Sequence, residues 1–255
     1  MIRAWVWGVC LSLLACTRNV PLPDMQPGET GRVTKVIDGD GVILDTGQRV
    51  RLISITAPVL SARDHPPEPY SGESARLLED LALGRRVQLF YPGLTRDRYD
   101  RALAHLVTID AAGPRLWLNR EMVARGAARV RLYSSTSARG RDLLQAETDA
   151  RETQSGLWAL ADYTPRDASE LVPTDRGFLM ITARLGDLVP VAEDNGVRSA
   201  CRRMLEDSQI IMHIDRDARS ACGLASGTAV EVRGWLAEGA LRLQHPLHLS
   251  LQDPP

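Results

Sequence analysis

The sequence predicts a β-rich α+β protein, in which a five-stranded barrel with three helices precedes a second, smaller all-β domain. Three observations support this fold class: short strands joined by hairpin turns near residue 40, helical patterns that alternate with strands up to residue 162, and an almost wholly β pattern after residue 175. The chain has 255 residues, which is long enough for two small domains.

Hairpin turns organise the stretch 31–58. Three segments of alternating apolar residues are separated there by Asp-Gly-Asp-Gly at 38–41 and by Asp-Thr-Gly at 45–47. Asp-Gly between β-rich segments is typical of a hairpin, so the stretch predicts three antiparallel strands. The first turn carries two carboxylates, and Arg51 lies among apolar residues in the third strand. An acid pair held near a partly enclosed arginine indicates a site for phosphate and metal.

The segment 59–162 supplies the rest of the first domain, which spans 31–162. Apolar stripes and terminal glycines predict helices over 71–84, 116–125 and 139–155. Alternating patterns predict extended segments over 85–91, 102–109 and 128–133. A five-stranded barrel with three helices accounts for these elements. We expect His105, which lies inside one of the strands, to be a core residue with a hydrogen-bonding partner.

A polar segment with two prolines, 163–175, is the predicted linker. The domain 176–255 follows, with predicted strands over 178–185, 210–214, 229–236 and 240–251. Phe178 and Trp235 could stack on nucleic-acid bases, but we expect them to pack in the core. His245 and His248 would not share one face of a strand, so we assign no zinc site.

The N-terminal segment has the pattern of an export signal. Arg3 precedes an apolar run over 4–15 that is too short to span a bilayer, which predicts a signal peptide over 1–15. The sequence LLAC at 13–16 looks like the lipobox of bacterial lipoproteins, in which Cys16 would be lipidated. On this interpretation 16–30 is a tether, and the protein is exported and membrane-anchored on the periplasmic or cell-surface side. The alternatives are an ordinary cleaved signal peptide and a short anchor.

Export would leave two further cysteines, Cys201 and Cys222, in an oxidising compartment. Such a pair predicts a disulfide. Two buried free thiols are the alternative, since the sequence gives no distance between them.

The formal net charge of −1 excludes a general attraction of the chain to nucleic acid. Binding of that kind therefore needs a local basic surface. Of the 31 basic residues only Lys35 is a lysine. Arginine suits bidentate contacts to phosphate, although so uniform a preference also follows from genomic base composition.

The stretch 31–58 resembles the opening of the staphylococcal nuclease (thermonuclease) family. The resemblance continues through Tyr99-Asp100-Arg101 to Gly156-Leu157-Trp158, and covers roughly half of the chain. It implies an OB-type barrel and calcium-dependent hydrolysis of phosphodiester bonds in DNA or RNA. The run 227–251 more weakly resembles a small, OB-like β-barrel domain that follows the nuclease domain in some bacterial relatives.

The resemblance assigns roles to four residues. The two arginines that clamp the phosphate in this family match Arg51 and Arg101. The calcium-site aspartate of the Asp-Gly-Asp turn matches Asp40, with Asp38 as its neighbour. Half of the metal site and the whole phosphate clamp are therefore expected to be retained.

Two departures lie in the family's Arg-Leu-x-x-x-Asp-x-Pro-Glu run, which reads RLISITAPV from Arg51 onward. Thr56 replaces the second metal carboxylate, and Val59 replaces the proposed general base. Calcium takes six to eight oxygens and depends on carboxylate charge, so the expected Ca²⁺ site is weak. Valine cannot accept a proton, and general-base assistance contributes about 10²- to 10⁴-fold. We therefore expect binding of nucleic acid or another phosphate-bearing ligand, with hydrolysis weak or lost.

Two other functions remain open. An active calcium-dependent endonuclease would need substitute acids, for which the candidates are Asp64, Glu68 and Glu73, although a proline-rich loop is a poor mount for a catalytic carboxylate. A structural lipoprotein of the cell envelope would instead use both barrels to bind protein. In that case, removing Arg51 would cost no phosphate affinity.

The retained residues also have simpler interpretations. Asp38 and Asp40 could be turn formers only, and Arg51 could pair with Asp40 as a structural ion pair. Arg101 lies in the charge-balanced loop 96–101, which could be a solvated surface. A carboxylate from elsewhere in the chain, seated beside the two arginines, would contradict the hypothesis of a weakened site.

Overall fold

The computed structural model describes residues 22–60, 66–111, 113–190 and 199–252. The predicted signal peptide, Cys16 and Asp64 lie outside the described residues. Within those ranges, no helix is both long enough and apolar enough to cross a bilayer.

The first half of the described chain forms the predicted five-stranded barrel. The strands of this half of the chain, five of which form the barrel, are β1 (Gln26–Asp38), β2 (Gly41–Leu44), β3 (Arg49–Leu52), β4 (Ile55–Thr56), β5 (Arg86–Tyr91), β6 (Ala102–Thr108) and β7 (Arg129–Val130). The barrel closes in the order β1-β2-β3-β6-β5, while β4 and β7 form a separate two-stranded sheet. The pairs β1–β2 and β2–β3 are antiparallel, which confirms the predicted meander.

The three predicted helices are present, with different ends: α1 (Ser71–Ala82), α2 (Leu118–Ala124) and α3 (Gly140–Glu152). The residue before α1 is Tyr70, which has a left-handed φ of 67° and makes no side-chain capping hydrogen bond. The start of α2 is later than predicted because the backbone of Leu116 exchanges hydrogen bonds with Thr108 of β6. The predicted strand 128–133 pairs only at β7, because its partner β4 is two residues long.

The second half forms the predicted all-β domain. Its strands are β8 (Arg166–Asp167), β9 (Gly177–Val189), β10 (Ser199–Leu205), β11 (Ile211–Asp215), β12 (Ala229–Ala237), β13 (Ala240–Leu243) and β14 (Leu249–Leu251). The order β9-β10-β11-β13-β12 closes into a second barrel because β12 also pairs with β9 over eight residues. The strands β8 and β14 extend this sheet at its ends.

A disulfide joins Cys201 on β10 to Cys222 in the 3-10 helix Arg216–Gly223. Their Cα atoms lie 6.1 Å apart, within the range that a disulfide requires. The bridge closes a loop with a sequence separation of 21 and ties the helix to the second barrel.

Two segments that the sequence suggests as open connections are packed instead. In the predicted tether, Leu22 and Met25 are buried in the first core, and β1 has already begun before residue 30. In the predicted linker, Ala168 and Leu171 are buried in the second core, and β8 pairs with β9. Isolated apolar residues between prolines give no periodic pattern, which is why the sequence did not reveal these anchors.

The strand β12 has one face in its own core and one toward the first barrel. Val230 and Val232 are buried in the second core. The alternate residues Glu231, Arg233 and Trp235 point the other way, as expected for a strand. Trp235 is 45% exposed, so the prediction that it packs in the core is wrong, whereas Phe178, which pairs with it on β9, is buried as expected.

Ion pairs dock this face of β12 on α3. Both carboxylate oxygens of Glu231 accept hydrogen bonds from Arg151, each at 2.8 Å. Arg233 forms a nearly fully buried ion pair with Glu147. Glu147 also accepts a hydrogen bond of 2.7 Å from the backbone N–H of Val130, so its charge has two partners across two elements.

Candidate anion-binding cleft

A cleft of about 740 Å³ lies beside the first barrel, a size typical of small-ligand sites. Its lining comes from the first hairpin turn, β3 and the segment after it, and the loops near residues 97 and 133. Trp235 of the second barrel completes the lining. The charged residues in it are Asp38, Asp40, Arg51, Asp97, Arg101 and Arg131.

Close packing fixes the hairpin turn at the edge of the cleft. A Cβ on Gly39 would collide with Oγ of Ser74 and with Cβ of Ala57, so only glycine allows the turn to lie against α1. Asp38 stabilises the same turn, since its Oδ1 accepts a hydrogen bond of 3.1 Å from the backbone N–H of Asp40.

Asp40 is 3% exposed, and both of its carboxylate oxygens are engaged. Oδ1 forms an ion pair with Arg51, and Oδ2 accepts a hydrogen bond of 2.8 Å from the backbone N–H of Ala57. Burial lowers the pKa of Arg51 to about 10; the carboxylate of Asp38 opposes this shift and two neighbouring guanidinium groups add to it. Arg51 therefore remains charged at neutral pH, and it has the internal partner that the simpler interpretation foresaw.

Asp97 holds Arg101 in the second part of the cleft. Its Oδ2 accepts from Nε of Arg101 and contacts the same guanidinium's Nη2, both at 2.7 Å. Its Oδ1 accepts from the backbone N–H groups of Tyr99 and Arg101, at 2.9 and 3.0 Å. Burial alone would raise the pKa of Asp97, but the hydrogen bonds from Arg101 and Tyr99 lower it below its ordinary value. A carboxylate is therefore seated beside one of the two arginines, but its lowered pKa makes it a poor proton acceptor that orients Arg101, so it does not replace the missing base.

Arg131 is the cleft arginine without a carboxylate partner among the described residues. Three aromatic rings surround its guanidinium carbon, with centroids 5.2 to 5.3 Å away: Tyr133, Phe178 and Trp235. Its buried Nε has no hydrogen-bond acceptor in the part of the chain that the structure describes. Because Nε is buried, the terminal Nη groups of Arg131, which have no hydrogen-bond partner among the described residues either, are the donors that a ligand in the cleft would meet.

The two replaced positions both line the cleft. Thr56 lies on β4, and Val59 exposes 45% of its surface there. Of the suggested substitute acids, Glu68 accepts a hydrogen bond of 2.9 Å from the backbone N–H of Val59, and Glu73 pairs with Arg76 on the exposed side of α1. Glu68 and Glu73 are both described, and neither of them lines the cleft.

The donor set does not fit a calcium ion. Calcium needs six to eight oxygens, mostly from charged or carbonyl groups. The two oxygens of Asp40 and the two of Asp97 already have partners, which leaves one oxygen of Asp38 as the available carboxylate ligand, beside neutral groups such as the hydroxyl of Thr56. Across the described ranges, no group of three or more His, Cys, Asp or Glu residues could hold a metal.

Sequence reasoning missed the parts played by Asp97, Arg131 and Trp235. A signal for Arg131 existed, because it alternates with Arg129 and Tyr133 in a segment predicted to be extended, and such residues share a face. Nothing in the local pattern assigns Asp97 to Arg101 instead of solvent. Trp235 reaches the cleft only through the docking of the second barrel.

Comparison with known proteins agrees with the first barrel. The sequence profile of the family described as Staphylococcal nuclease homologue matches residues 49–160. A thermonuclease of Staphylococcus intermedius is 30% identical over 139 residues, which cover 51% of this chain and 77% of that protein. A thermonuclease of Staphylococcus hyicus is 27% identical over 139 residues, or 51% of this chain and 76% of that protein.

A third relative, named probable endonuclease LCL3, comes from Komagataella phaffii. It is 30% identical over 118 residues, which cover 44% of this chain and 49% of that protein. A closed five-stranded barrel, a profile match across the cleft and a relative matched over most of its length together define the class. The chain belongs to the staphylococcal nuclease homologue family.

Proposed function

We propose that this chain binds nucleic acid through a backbone phosphate in the cleft, and that it hydrolyses the phosphodiester weakly or not at all. One observation carries the proposal. The guanidinium groups of Arg51, Arg101 and Arg131 line the same cleft, while Val59 contributes an isopropyl group where the family has its proposed general base. The names of the relatives, two thermonucleases and a probable endonuclease, support nucleic acid as the ligand class.

Directed donors rather than net charge would hold the phosphate. The three arginines of the lining face three aspartates, so the formal charges balance. Each guanidinium has five N–H donors in a planar fork, however, and one carboxylate oxygen uses one or two of them. The remaining donors suit bidentate contacts to phosphate oxygens. We therefore expect modest affinity with a shallow salt dependence, since each phosphate contact adds only about 0.9 to the slope.

Hydrolysis requires an activated water in addition to the phosphate clamp. Asp97 accepts three hydrogen bonds, forms an ion pair with Arg101 and has a lowered pKa, so it is a weak base although it lies beside Arg101. Asp40 has both oxygens bonded to Arg51 and Ala57. These carboxylates therefore orient the clamp and leave the attacking water without a base.

The binding half of the proposal is tested with the full chain, a labelled DNA oligomer and fluorescence anisotropy across a salt series. We expect Arg51→Ala to weaken binding about tenfold or more and to reduce the salt slope by about 1. Arg101→Gln should act in the same direction without leaving a buried acid unpaired. Arg85→Ala is the matched control, because the Arg85 side chain is as exposed as that of Arg51, forms an ion pair with Asp110 and does not line the cleft.

Unchanged affinity in both cleft variants, with circular dichroism showing them folded, would contradict phosphate binding. It would instead favour the envelope-protein hypothesis, in which the barrels bind protein. An equal loss in Arg85→Ala would show that the effect is general charge and not the cleft.

The hydrolysis half is tested by DNA cleavage with and without Ca²⁺. We expect the unmodified chain to cleave slowly, and Thr56→Asp combined with Val59→Glu to raise the rate, because the pair restores a metal oxygen and a base. Brisk cleavage by the unmodified chain, abolished by Arg51→Ala, would overturn the weakened-site interpretation.

One observation favours an active nuclease as the second candidate. Asp38 lines the cleft and makes no ion pair within the described residues, so one of its oxygens is available. If Asp38 is a substitute acid, Asp38→Asn will abolish any calcium-dependent cleavage while leaving oligomer binding in place. If cleavage is unchanged, Asp38 serves the turn alone.

The same proposal includes export and attachment to a membrane through a lipid on Cys16. The LLAC sequence and the pairing of Cys201 with Cys222 support it, since stable disulfides are typical of oxidising compartments. Cys16→Ser should move the protein from the membrane fraction to a soluble one and abolish incorporation of labelled fatty acid. Unchanged fractionation of this variant would contradict lipid anchoring.

A further inference from the structure

We infer that Trp235, Arg131 and Tyr133 form a stacking platform for a nucleobase beside the phosphate clamp, so that the ligand is single-stranded nucleic acid held by both barrels. This inference rests on the proposed function and extends it, because it assigns the second barrel a part in binding. The term stacking platform refers below to these three residues.

The geometry around Arg131 offers surfaces for stacking. Its guanidinium lies 5.3 Å from the ring of Trp235 and 5.2 Å from that of Tyr133. Flat rings and a guanidinium plane are the surfaces on which unpaired bases stack. Arg131 also lines the same cleft as Arg51 and Arg101, so a base on the platform would adjoin a phosphate at the clamp.

The second argument is the exposure of apolar groups around the cleft. Val59, Leu94, Tyr133 and Trp235 line it, and each leaves between 38% and 54% of its surface exposed. A cluster of exposed apolar groups indicates a binding surface. The lining therefore combines arginine N–H donors with exposed apolar side chains. This combination matches a ligand that is anionic at one end and flat and apolar at the other, as a nucleotide is.

The third argument is the rigid mount of Trp235. The preceding outward residues of β12, Glu231 and Arg233, are held by Arg151 and by Glu147. The neighbouring strand β9 also holds the backbone of Trp235 in place, because Trp235 pairs with Phe178 on that strand. A ring that is anchored by its strand and yet 45% exposed loses little conformational entropy when a base covers it.

Single strands fit this platform better than duplex. In a duplex, each base already stacks on its neighbours, so its face is not available without unstacking. In a single strand the bases can be splayed onto aromatic side chains while the backbone follows basic residues. The inference therefore predicts a preference for single-stranded over duplex oligomers of the same length.

The test compares two probes on the full chain: a short oligothymidylate and an abasic phosphodiester oligomer of the same length. The unmodified chain should bind the oligothymidylate more tightly. Trp235→Ala should weaken that binding about tenfold, within the usual effect of removing one stacking ring, and should leave the abasic probe unchanged. Trp235→Phe should restore most of the difference, and Trp235 fluorescence should be quenched only by the probe that carries bases.

Leu188→Ala is the matched control, because Leu188 is a large exposed apolar residue of the second barrel that does not line the cleft. Equal binding of both probes by the unmodified chain, or an equal loss of both in Trp235→Ala, would overturn the stacking platform and leave the clamp intact. If Arg51→Ala and Arg101→Gln left the affinity for the abasic probe unchanged, that result would instead overturn the clamp. The two failures are therefore distinguishable.

Discussion

The two barrels place their charged residues in opposite ways. In the first barrel, charged side chains point into its own cleft, where Asp40 pairs with Arg51 and Asp97 pairs with Arg101. The second barrel places them on the outer face of β12, where Glu231 and Arg233 meet partners from α3. These two charges of the second barrel are thus used for docking, and the next residue on that face, Trp235, reaches the neighbouring cleft. A barrel that looks like a separate module in sequence therefore completes a site on the first.

The largest expected effect comes from breaking the buried pair between the barrels. Arg233→Ala leaves Glu147, which is 1% exposed, without its cation. We expect the free energy of unfolding to fall by about 3–5 kcal/mol, as for other buried pairs that lose one member. Denaturant unfolding measures this change.

The control for that variant removes both charges together. Glu147→Gln with Arg233→Met keeps an acceptor for the backbone N–H of Val130 and an apolar chain of similar length. It should recover most of the lost stability. If Arg233→Ala lowered the free energy of unfolding by less than about 1 kcal/mol, the ion pair would be exposed to water like a surface pair. The two barrels would then be independent modules.

The disulfide tests whether the barrels unfold together. Replacing both Cys201 and Cys222 by serine should destabilise the second barrel by about 3 kcal/mol, through the closed loop that it loses. If docking makes the barrels one cooperative unit, hydrogen exchange will accelerate in both. Acceleration confined to 177–251 would show that the second barrel unfolds alone.

Acid gives a smaller effect, centred on the interface. His248 accepts a hydrogen bond of 2.8 Å from the backbone N–H of Leu132 through Nε2. Burial lowers the pKa of His248 to about 2, and the nearby Arg233, His245 and Arg131 act in the same direction. Its neutral form is therefore the one that stabilises the fold.

This contribution is fully present above about pH 6.5, the ordinary histidine pKa, and is lost as the pH falls toward 2. We expect a loss of about 2 kcal/mol by pH 5, measured by urea unfolding. His248→Gln, which keeps an acceptor, should flatten the pH dependence. The remaining slope should come largely from His105 in the first barrel, whose pKa burial lowers to about 3. An unchanged slope in His248→Gln would refute a role for this interface contact.

The elements that the sequence predicted correctly are those that depend on short-range sequence patterns. The hairpin turns at 38–41 and 45–47 and the three helices depend on neighbours within a few residues. Helix ends were less predictable, since Leu116 is captured by a hydrogen bond to Thr108 that no local pattern shows. The same holds for Leu22, whose burial depends on a distant core.

In the cleft, sequence and resemblance indicated Arg51, Arg101 and the replacements at Thr56 and Val59. For the acids they left several uses open, among them a metal ligand, a turn former and a partner of Arg51. Whether an aspartate serves as metal ligand, base or arginine partner depends on which donors surround it, and that depends on how the backbone folds around the carboxylate. Asp97 illustrates this, because the loop conformation directs three hydrogen bonds from Tyr99 and Arg101 to its carboxylate, which therefore holds Arg101.

By itself, the sequence determined the two β-rich domains, the family resemblance and the cations that line the cleft, because turn chemistry, periodicity and motif spacing are local properties. Only the tertiary structure decided that Asp40 and Asp97 are committed to arginines, and that Trp235 belongs to the cleft of the other barrel. The physical reason is that hydrogen bonding and exposure depend on the folded backbone, both within the loop that joins Asp97 to Arg101 and between residues as distant in sequence as Arg131 and Trp235.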